Sequence, residues 1–161
     1  MKKIAFFVII VNIGLLSISS CATNSGSNPL VTGLSTHYIE FMGLSKLELE
    51  KIINSEPIRV VDEMNTYQIN PGNNDATNAI TFFIDPIKGV YRIVTMHEYS
   101  NIWIRDKLNE YTRVFGEPVI RDGNYAFIAK ENENNAIIVF VTSGIFADKQ
   151  YGIIGTMVLE Y

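Results

Sequence analysis

The residues of this chain that could carry out catalysis do not form any of the common catalytic or metal-binding patterns. Its two histidines, His37 and His97, lie in different segments, without acidic or histidine neighbours at metal-ligand spacing. A zinc site needs at least three convergent protein ligands. The sequence therefore predicts no metal centre, and it predicts that His97, late in a strand beside Glu98, lies at the surface.

Serine and carboxylate groups give no stronger catalytic signal. The chain has no Gly-x-Ser-x-Gly elbow, no Gly-x-Gly-x-x-Gly motif and no phosphate-binding loop. Thr142-Ser143-Gly144 is typical of a strand end, and the pairs Asp62-Glu63 and Glu131 with Glu133 are typical of solvated turns. A glycosidase would need two carboxylates held across a cleft, which a sequence does not show. We therefore expect a protein that is not an enzyme and that uses no cofactor.

The single cysteine, Cys21, lies where a specific modification is expected. Lys2 and Lys3 precede an apolar stretch from Ile4 to Leu16, the arrangement of a secretory signal peptide. That stretch is shorter than the about 20 apolar residues of a transmembrane helix. The following Ile18-Ser19-Ser20-Cys21 resembles the lipobox of bacterial lipoproteins, which implies cleavage before Cys21 and attachment of lipid to it. An ordinary secretory signal with a chance cysteine, or an uncleaved anchor helix, is the alternative.

This interpretation divides the chain into a signal peptide (1–20), a lipidated cysteine with a flexible tether (21–36) and a domain (37–161). Removal of the signal peptide leaves 11 basic against 17 acidic residues, a net charge of −6. A domain of this charge without a basic cluster is a poor candidate for binding nucleic acid. In lipoproteins an aspartate after the lipidated cysteine commonly means retention at the inner membrane, so Ala22 favours an outer-membrane anchor with the domain in the periplasm or at the cell surface. In an organism without an outer membrane, the same anchor would mean the outer face of the cell membrane.

A weak internal similarity relates residues 43–99 to residues 104–161 and indicates a duplicated unit. An offset of 61 aligns Glu56-Pro57 with Glu117-Pro118, and it aligns three of the four residues in 93–96 with identical residues in 154–157. An offset of 57 aligns Asn78-Ala79-Ile80 and Phe83 with Asn135-Ala136-Ile137 and Phe140. The sequence thus predicts an α+β domain of two related halves, 43–99 and 100–161, that share one core.

Each half is predicted to be one helix followed by three antiparallel strands. Ser45 and Glu48 have the spacing of a capping box at the start of the first helix. Ser100 or Asn101 caps the second, whose buried face consists of Ile104, Leu108, Tyr111 and Phe115. The strands are expected at 58–69 with a break near 62–63, and at 79–84, 90–96, 124–129, 136–142 and 152–160. Residues 30–42 could be a leading helix or strand.

Parts of this pattern resemble a known family. Gly43-Leu44-Ser45, the helix and Glu56-Pro57 resemble the opening of small outer-membrane lipoproteins of the SmpA/OmlA type. The strand Ile80 to Ile84 and the turn ending at Gly89 are similar to that family's central hairpin, and the tandem arrangement is similar to beta-lactamase inhibitory proteins. Ser55 replaces the usual glycine, and disulfides are absent. The resemblance implies a fold more than a function.

Aromatic side chains supply the candidate binding residues, because tyrosine and tryptophan dominate protein-binding hot spots. The alternative is that these residues only pack, since β-sheets favour aromatic side chains. We expect a membrane-anchored, non-enzymatic envelope lipoprotein that binds another envelope protein as an assembly or accessory factor. An inhibitor or immunity protein that blocks a hydrolase is the second hypothesis, and an envelope hydrolase the third. The candidate partner-binding residues are Tyr67, Tyr91, Trp103, Tyr125 and Tyr151.

Overall fold

The computed structural model describes residues 38–54, 56–67, 77–146 and 148–160. The expected signal peptide, Cys21 and the tether lie outside these ranges. Within them the chain forms two α-helices and one eight-stranded antiparallel sheet, so the predicted α+β class is confirmed. No helix in these ranges is long and apolar enough to cross a membrane.

The chain forms two blocks, and in each block one helix is followed by four strands. A short 3-10 helix at Ile39–Phe41 precedes them, in the segment for which a helix or a strand was expected. The first block is α1 (Lys46–Ile53), β1 (Arg59–Val61), β2 (Met64–Tyr67), β3 (Thr77–Asp85) and β4 (Gly89–Glu98). The second is α2 (Asn101–Phe115), β5 (Val119–Arg121), β6 (Asn124–Glu131), β7 (Asn135–Phe146) and β8 (Lys149–Glu160).

Both helices begin at a serine cap. The Ser45 hydroxyl accepts the Glu48 N–H at 3.3 Å, and the Glu48 carboxylate accepts the Ser45 N–H at 2.8 Å, so the predicted capping box is confirmed. Of the two candidates for the second cap, it is Ser100 that accepts a hydrogen bond from the Trp103 N–H, at 3.0 Å. The α2 helix ends at Gly116, whose φ of 86° strongly favours a residue without Cβ.

Each half contains four strands rather than the predicted three. The expected strand 58–69 is two strands joined at Asp62, which has a φ of 49°, and Asp122 makes the corresponding turn with a φ of 50°. The prediction missed β5 because three residues are too few to show an alternating pattern. The strands of the second half are longer than expected: β6 continues to Glu131, and β7 and β8 each extend over 12 residues, into the segment 143–151 that was expected to connect them.

The two halves meet in the middle of the sheet, whose strand order is β1-β2-β3-β4-β8-β7-β6-β5. The strands β4 and β8 are antiparallel neighbours, with Val94 opposite Gly155. Each half therefore contributes its last strand to the junction, and the two short strands β1 and β5 form the outer edges. The residues that pair at this junction are about 60 positions apart in the chain.

Both helices pack on one face of the sheet, here called the helix face. Leu49 and Ile53 of α1 pack in one apolar cluster with Phe82 and Ile93, and Tyr111 of α2 packs in another with residues that include Phe127. Between the two clusters lie buried polar residues of β4 and β8. On the helix face the buried apolar side chains of the described residues thus form two clusters rather than the predicted single core. The polar residues between them are Thr95, His97 and Thr156, each at most 1% exposed.

The predicted surface position of His97 is wrong. Its side chain is 1% exposed, and its Nε2 atom lies 2.8 Å from the Thr95 hydroxyl. The imidazole packs against the Trp103 ring, with 4.7 Å between the ring centroids. The alternation of β4 turns His97 to the helix face, where the first turn of α2 covers it, so its role is structural packing.

Candidate functional site

The sheet face opposite the helices, here called the second face, is apolar at its centre. Because side chains alternate along a strand and paired residues project to the same side, the pairing assigns the residues of each face. No helix within the described ranges packs on the second face, since both helices contribute to clusters on the other side. Its central side chains are Phe83, Arg92, Val94, Met96, Ile138, Phe140, Ile153 and Met157.

These side chains differ in exposure. Four of them are less than 10% exposed, whereas Phe83, Arg92, Val94 and Met157 are partly exposed. The Phe140 ring lies directly over Gly155, so that a Cβ at this glycine would overlap the ring. Partly exposed apolar side chains around a buried centre are typical of the surfaces that proteins bury against one another. The second face is therefore the strongest candidate for a binding surface among the described residues.

Arg92 is the one charged side chain at the centre of this face. Its guanidinium carbon lies 5.0 Å from the centroid of the Phe83 ring. Its Nε atom is buried, with no hydrogen-bond partner among the described residues. In the register of the sheet it lies between Phe83 on β3 and Met157 on β8. Burial lowers the pKa of Arg92 below its usual value, although the guanidinium stays protonated.

Tyr91 lies beside this arginine at a β-bulge. Phe83 pairs with Arg92 and Ile84 with Val90, which leaves Tyr91 as the extra residue. Its ring lies 6.3 Å from the Phe83 ring, and its hydroxyl donates to the Glu63 carboxylate at 3.2 Å. Burial, together with this hydrogen bond, raises the pKa of Tyr91. Bulges of this kind often occur beside functional sites, where they redirect a side chain.

The five aromatic residues predicted from the sequence do not form one surface. Tyr67 is 2% exposed and packs on Phe82 in the core, so it offers almost no surface to a partner. Trp103 and Tyr125 pack in the cluster beneath α2 on the helix face. Tyr151 lies on the second face, opposite Glu98 and near the far end of β4 from Tyr91. The structure thus places two of the five on or beside the second face, but far apart along it.

Sequence reasoning missed the residues at the centre of the second face. The runs Ile80 to Ile84 and Ile137 to Val141 are almost continuously apolar, a pattern of strands with two apolar faces. That pattern could have indicated an apolar surface opposite the helices. Arg92 gave no such signal, because a charged residue early in a strand is usually solvated.

The described residues at the centre of the second face provide apolar contact and one cation, beside the buried Thr81 hydroxyl, which is hydrogen-bonded to the Thr66 hydroxyl at 3.1 Å. Within the described ranges no three residues of the histidine, cysteine, aspartate and glutamate types lie close enough to hold a metal ion. Comparisons with protein-family models, with curated proteins and with solved structures gave no significant match to this chain.

Proposed function

We propose that this protein is a membrane-anchored envelope lipoprotein that binds another envelope protein through the second face and catalyses no reaction. Its role would be that of an assembly or accessory factor at the outer membrane. The observation that carries the proposal is the apolar centre of the second face, which neither described helix contacts. The anchor is supported by the lipobox-like sequence that ends at Cys21. Acyl chains on this residue would hold the domain at the membrane surface.

We also propose that the two halves derive from a duplicated unit of one helix and four strands. The first hairpins support this, because an offset of 60 converts every β1–β2 pair into a β5–β6 pair. The pair Val61 with Met64, for example, becomes Arg121 with Asn124. The turn residues Asp62 and Asp122 then coincide, with nearly equal positive φ angles.

The central strands support the duplication independently. Ile93 lies opposite Thr156, and Thr95 lies opposite Ile154. An offset of 61 exchanges these two pairs, which is the register that a two-fold axis beside Val94 would produce. The same reasoning aligns Phe82 with Val141, because Phe82 pairs with Ile93 as Val141 pairs with Ile154. The offset for β3 and β7 is then 59, so the offset of 57 expected from the sequence is in error by two residues.

A projecting hairpin favours the inhibitor hypothesis as a second candidate. The pairing of β7 with β6 ends at Val141, and the pairing of β8 with β4 ends at Tyr151. Beyond these points, β7 and β8 pair only with each other. Ile145 lies near the tip and is 74% exposed. An apolar residue on a projecting hairpin could enter the cleft of a hydrolase.

Site-specific crosslinking in cells that produce the full-length chain would test the proposal. A photo-reactive benzophenone amino acid would replace Val94 or Met157 on the second face, and Leu47 or Ile102 on the exposed sides of the helices. Leu47 and Ile102 are 62% and 63% exposed, more than Val94 or Met157, so poor accessibility would not explain a lack of adducts from the helices. We expect one protein adduct from the second face and none from the helices. The same amino acid would also replace Ile145 at the hairpin tip. Adducts only from position 145 would favour the inhibitor, and adducts only from the helices would contradict both hypotheses.

The anchor has its own test. Replacing Cys21 with serine should abolish the incorporation of labelled acyl chains and leave the precursor uncleaved by the lipoprotein signal peptidase. Labelled lipid on the Cys21→Ser protein would contradict the proposed anchor. The test is independent of the crosslinking result, because the second face could bind a protein whether or not the chain is lipidated.

A further inference from the structure

The duplication singles out Arg92 within the second face. The offset of 61 that relates β4 to β8 places Arg92 in the same position as Ile153, and the register agrees, because Arg92 lies opposite Met157 as Ile153 lies opposite Met96. Ile153 is 2% exposed. The same position in the fold therefore accepts a fully buried aliphatic side chain. Packing of the sheet does not require the arginine.

Arg92 is also expected to lower the stability of the fold at its position. A partly buried cation without a counter-ion is destabilising, and contact with the Phe83 ring offsets only part of that cost. The carboxylates that flank this end of the sheet have other partners. Glu63 accepts the Tyr91 hydroxyl, and Glu160 accepts the Lys88 ammonium at 2.6 Å. No described carboxylate makes an ion pair with Arg92.

We propose that the protein bound by the second face places an aspartate or glutamate side chain, flanked by apolar side chains, against Arg92. This inference rests on the proposed function and states the chemistry of its partner. The guanidinium can donate two parallel hydrogen bonds to one carboxylate, and its contact with the Phe83 ring limits the positions it can take. Val94 and Met157 beside it would contact the flanking apolar groups.

The charges of the face argue against other occupants. Anionic membranes are recognised by clusters of about four to eight basic residues, whereas the centre of the second face carries one. A second copy of this chain would present the same central residues, none of which has a carboxylate. A protein segment with an acidic residue among apolar ones supplies both the missing counter-ion and the matching surface.

The test starts from the crosslinked adduct obtained with the full-length chain. The peptide attached to position 94 or 157 is sequenced and synthesised, and its affinity for the full-length lipoprotein is measured in detergent. Arg92→Met should weaken binding at least about 30-fold, which corresponds to about 2 kcal/mol. Arg92→Lys should have an intermediate effect. Arg121→Met is the matched control, because Arg121 is an exposed residue of the edge strand β5 and should not affect binding.

Exchanging the charges of Arg92 and of the acidic peptide residue tests whether the two side chains contact each other directly. Arg92→Glu should abolish binding of the original peptide, and a peptide in which the acidic residue is replaced by arginine should restore it. Wild-type melting temperatures for the Arg92 variants would show that they are folded. A peptide without an acidic residue, or one whose affinity Arg92→Met leaves unchanged, would overturn the inference and leave the proposed function standing. Adducts with lipid or with a second copy, or no adduct from the second face, would overturn both.

Discussion

The two faces of the central strand pair differ in how their polar groups are satisfied, although they share the same backbone. On the helix face, the Thr95 hydroxyl is hydrogen-bonded to His97 and to the Ile154 carbonyl oxygen at 3.3 Å, and all three residues are buried. On the second face, three residues away from Thr95 along β4, the Arg92 Nε atom is buried without a described partner. Within the central pair β4 and β8, the buried polar side chains of the helix face are thus hydrogen-bonded to one another, whereas the buried Nε atom on the second face has no partner among the described residues.

The strongest test of this comparison uses two adjacent phenylalanines of β3. Phe82 points to the helix face and is 1% exposed, whereas Phe83 points to the second face and is partly exposed. Phe82→Ala should lower the free energy of unfolding by about 3–5 kcal/mol, because it removes buried surface and leaves a cavity. Phe83→Ala should cost about 1 kcal/mol, mostly from contact with Tyr91 and Arg92. Denaturant unfolding would measure both, and equal losses would show that the second face is as structural as the helix face.

Substitutions of two glycines in β8 test the same comparison between the faces, with smaller expected losses of stability. The Trp103 ring lies over Gly152 on the helix face, and the Phe140 ring lies over Gly155 on the second face. Gly152→Ala should cost about 1–3 kcal/mol, because α2 holds Trp103 in place and the added methyl group overpacks the site. Gly155→Ala should cost about 1 kcal/mol or less, since no described helix holds the Phe140 ring.

Tryptophan fluorescence and thermal unfolding would measure the two glycine variants. Trp103 is the only tryptophan in the chain, so a shift in its emission reports on the Gly152 site directly. A larger loss of stability for Gly155→Ala than for Gly152→Ala would mean that the second face, and not the helix face, is the more tightly packed one.

Replacing Arg92 tests whether this residue of the second face contributes to the stability of the fold. Arg92→Ile, which introduces the residue that the proposed duplication places at this position in the other half, should leave the free energy of unfolding unchanged or raise it by about 0–2 kcal/mol. The gain would come from removing a cation that lacks a described counter-ion. Chemical denaturation at pH 7 would measure it. A loss of more than about 1 kcal/mol would mean that Arg92 supports the fold.

The smallest effects are expected from two tyrosine hydroxyls. The Tyr67 hydroxyl on the helix face is buried without a described partner, so Tyr67→Phe should be neutral or stabilising by less than about 1 kcal/mol at pH 7. Tyr91→Phe loses the hydrogen bond to Glu63 and should cost about 0.5–1 kcal/mol.

The Tyr67 hydroxyl also predicts a dependence on alkaline pH. Burial, with the charges of Glu50 and Glu56, raises the pKa of Tyr67 above its usual value of 10.0. The neutral hydroxyl is then favoured in the folded state, so its contribution to stability is complete below about pH 10 and is lost as the pH rises through the folded-state pKa. Unfolding curves at pH 7 and above pH 10 should therefore show a smaller alkaline loss for Tyr67→Phe than for the wild type. An identical loss in both proteins would contradict the assigned burial.

Local features of this fold could be predicted from the sequence, and long-range ones could not. Ser45 and Ser100 indicated where the helices begin, because capping depends on residues within one turn. The antiparallel hairpins followed from apolar runs and turn residues. The joining of β4 to β8 depends on packing between residues about 60 positions apart, which no local pattern records. The burial of His97 and the missing partner of Arg92 depend on the same junction, so both were also invisible to sequence reasoning.

The short strands at the margins have a consequence for solubility. An open sheet that does not close on itself exposes two rows of unpaired backbone groups, which can template the addition of strands from other molecules. Here each margin is a strand of only three residues, with an arginine in it, Arg59 or Arg121, and a proline just before it, Pro57 or Pro118. Such margins offer too little regular backbone for another strand to extend the sheet. The described margins of the sheet therefore disfavour polymerisation edge to edge, which leaves the apolar second face as the surface by which copies or other proteins would associate.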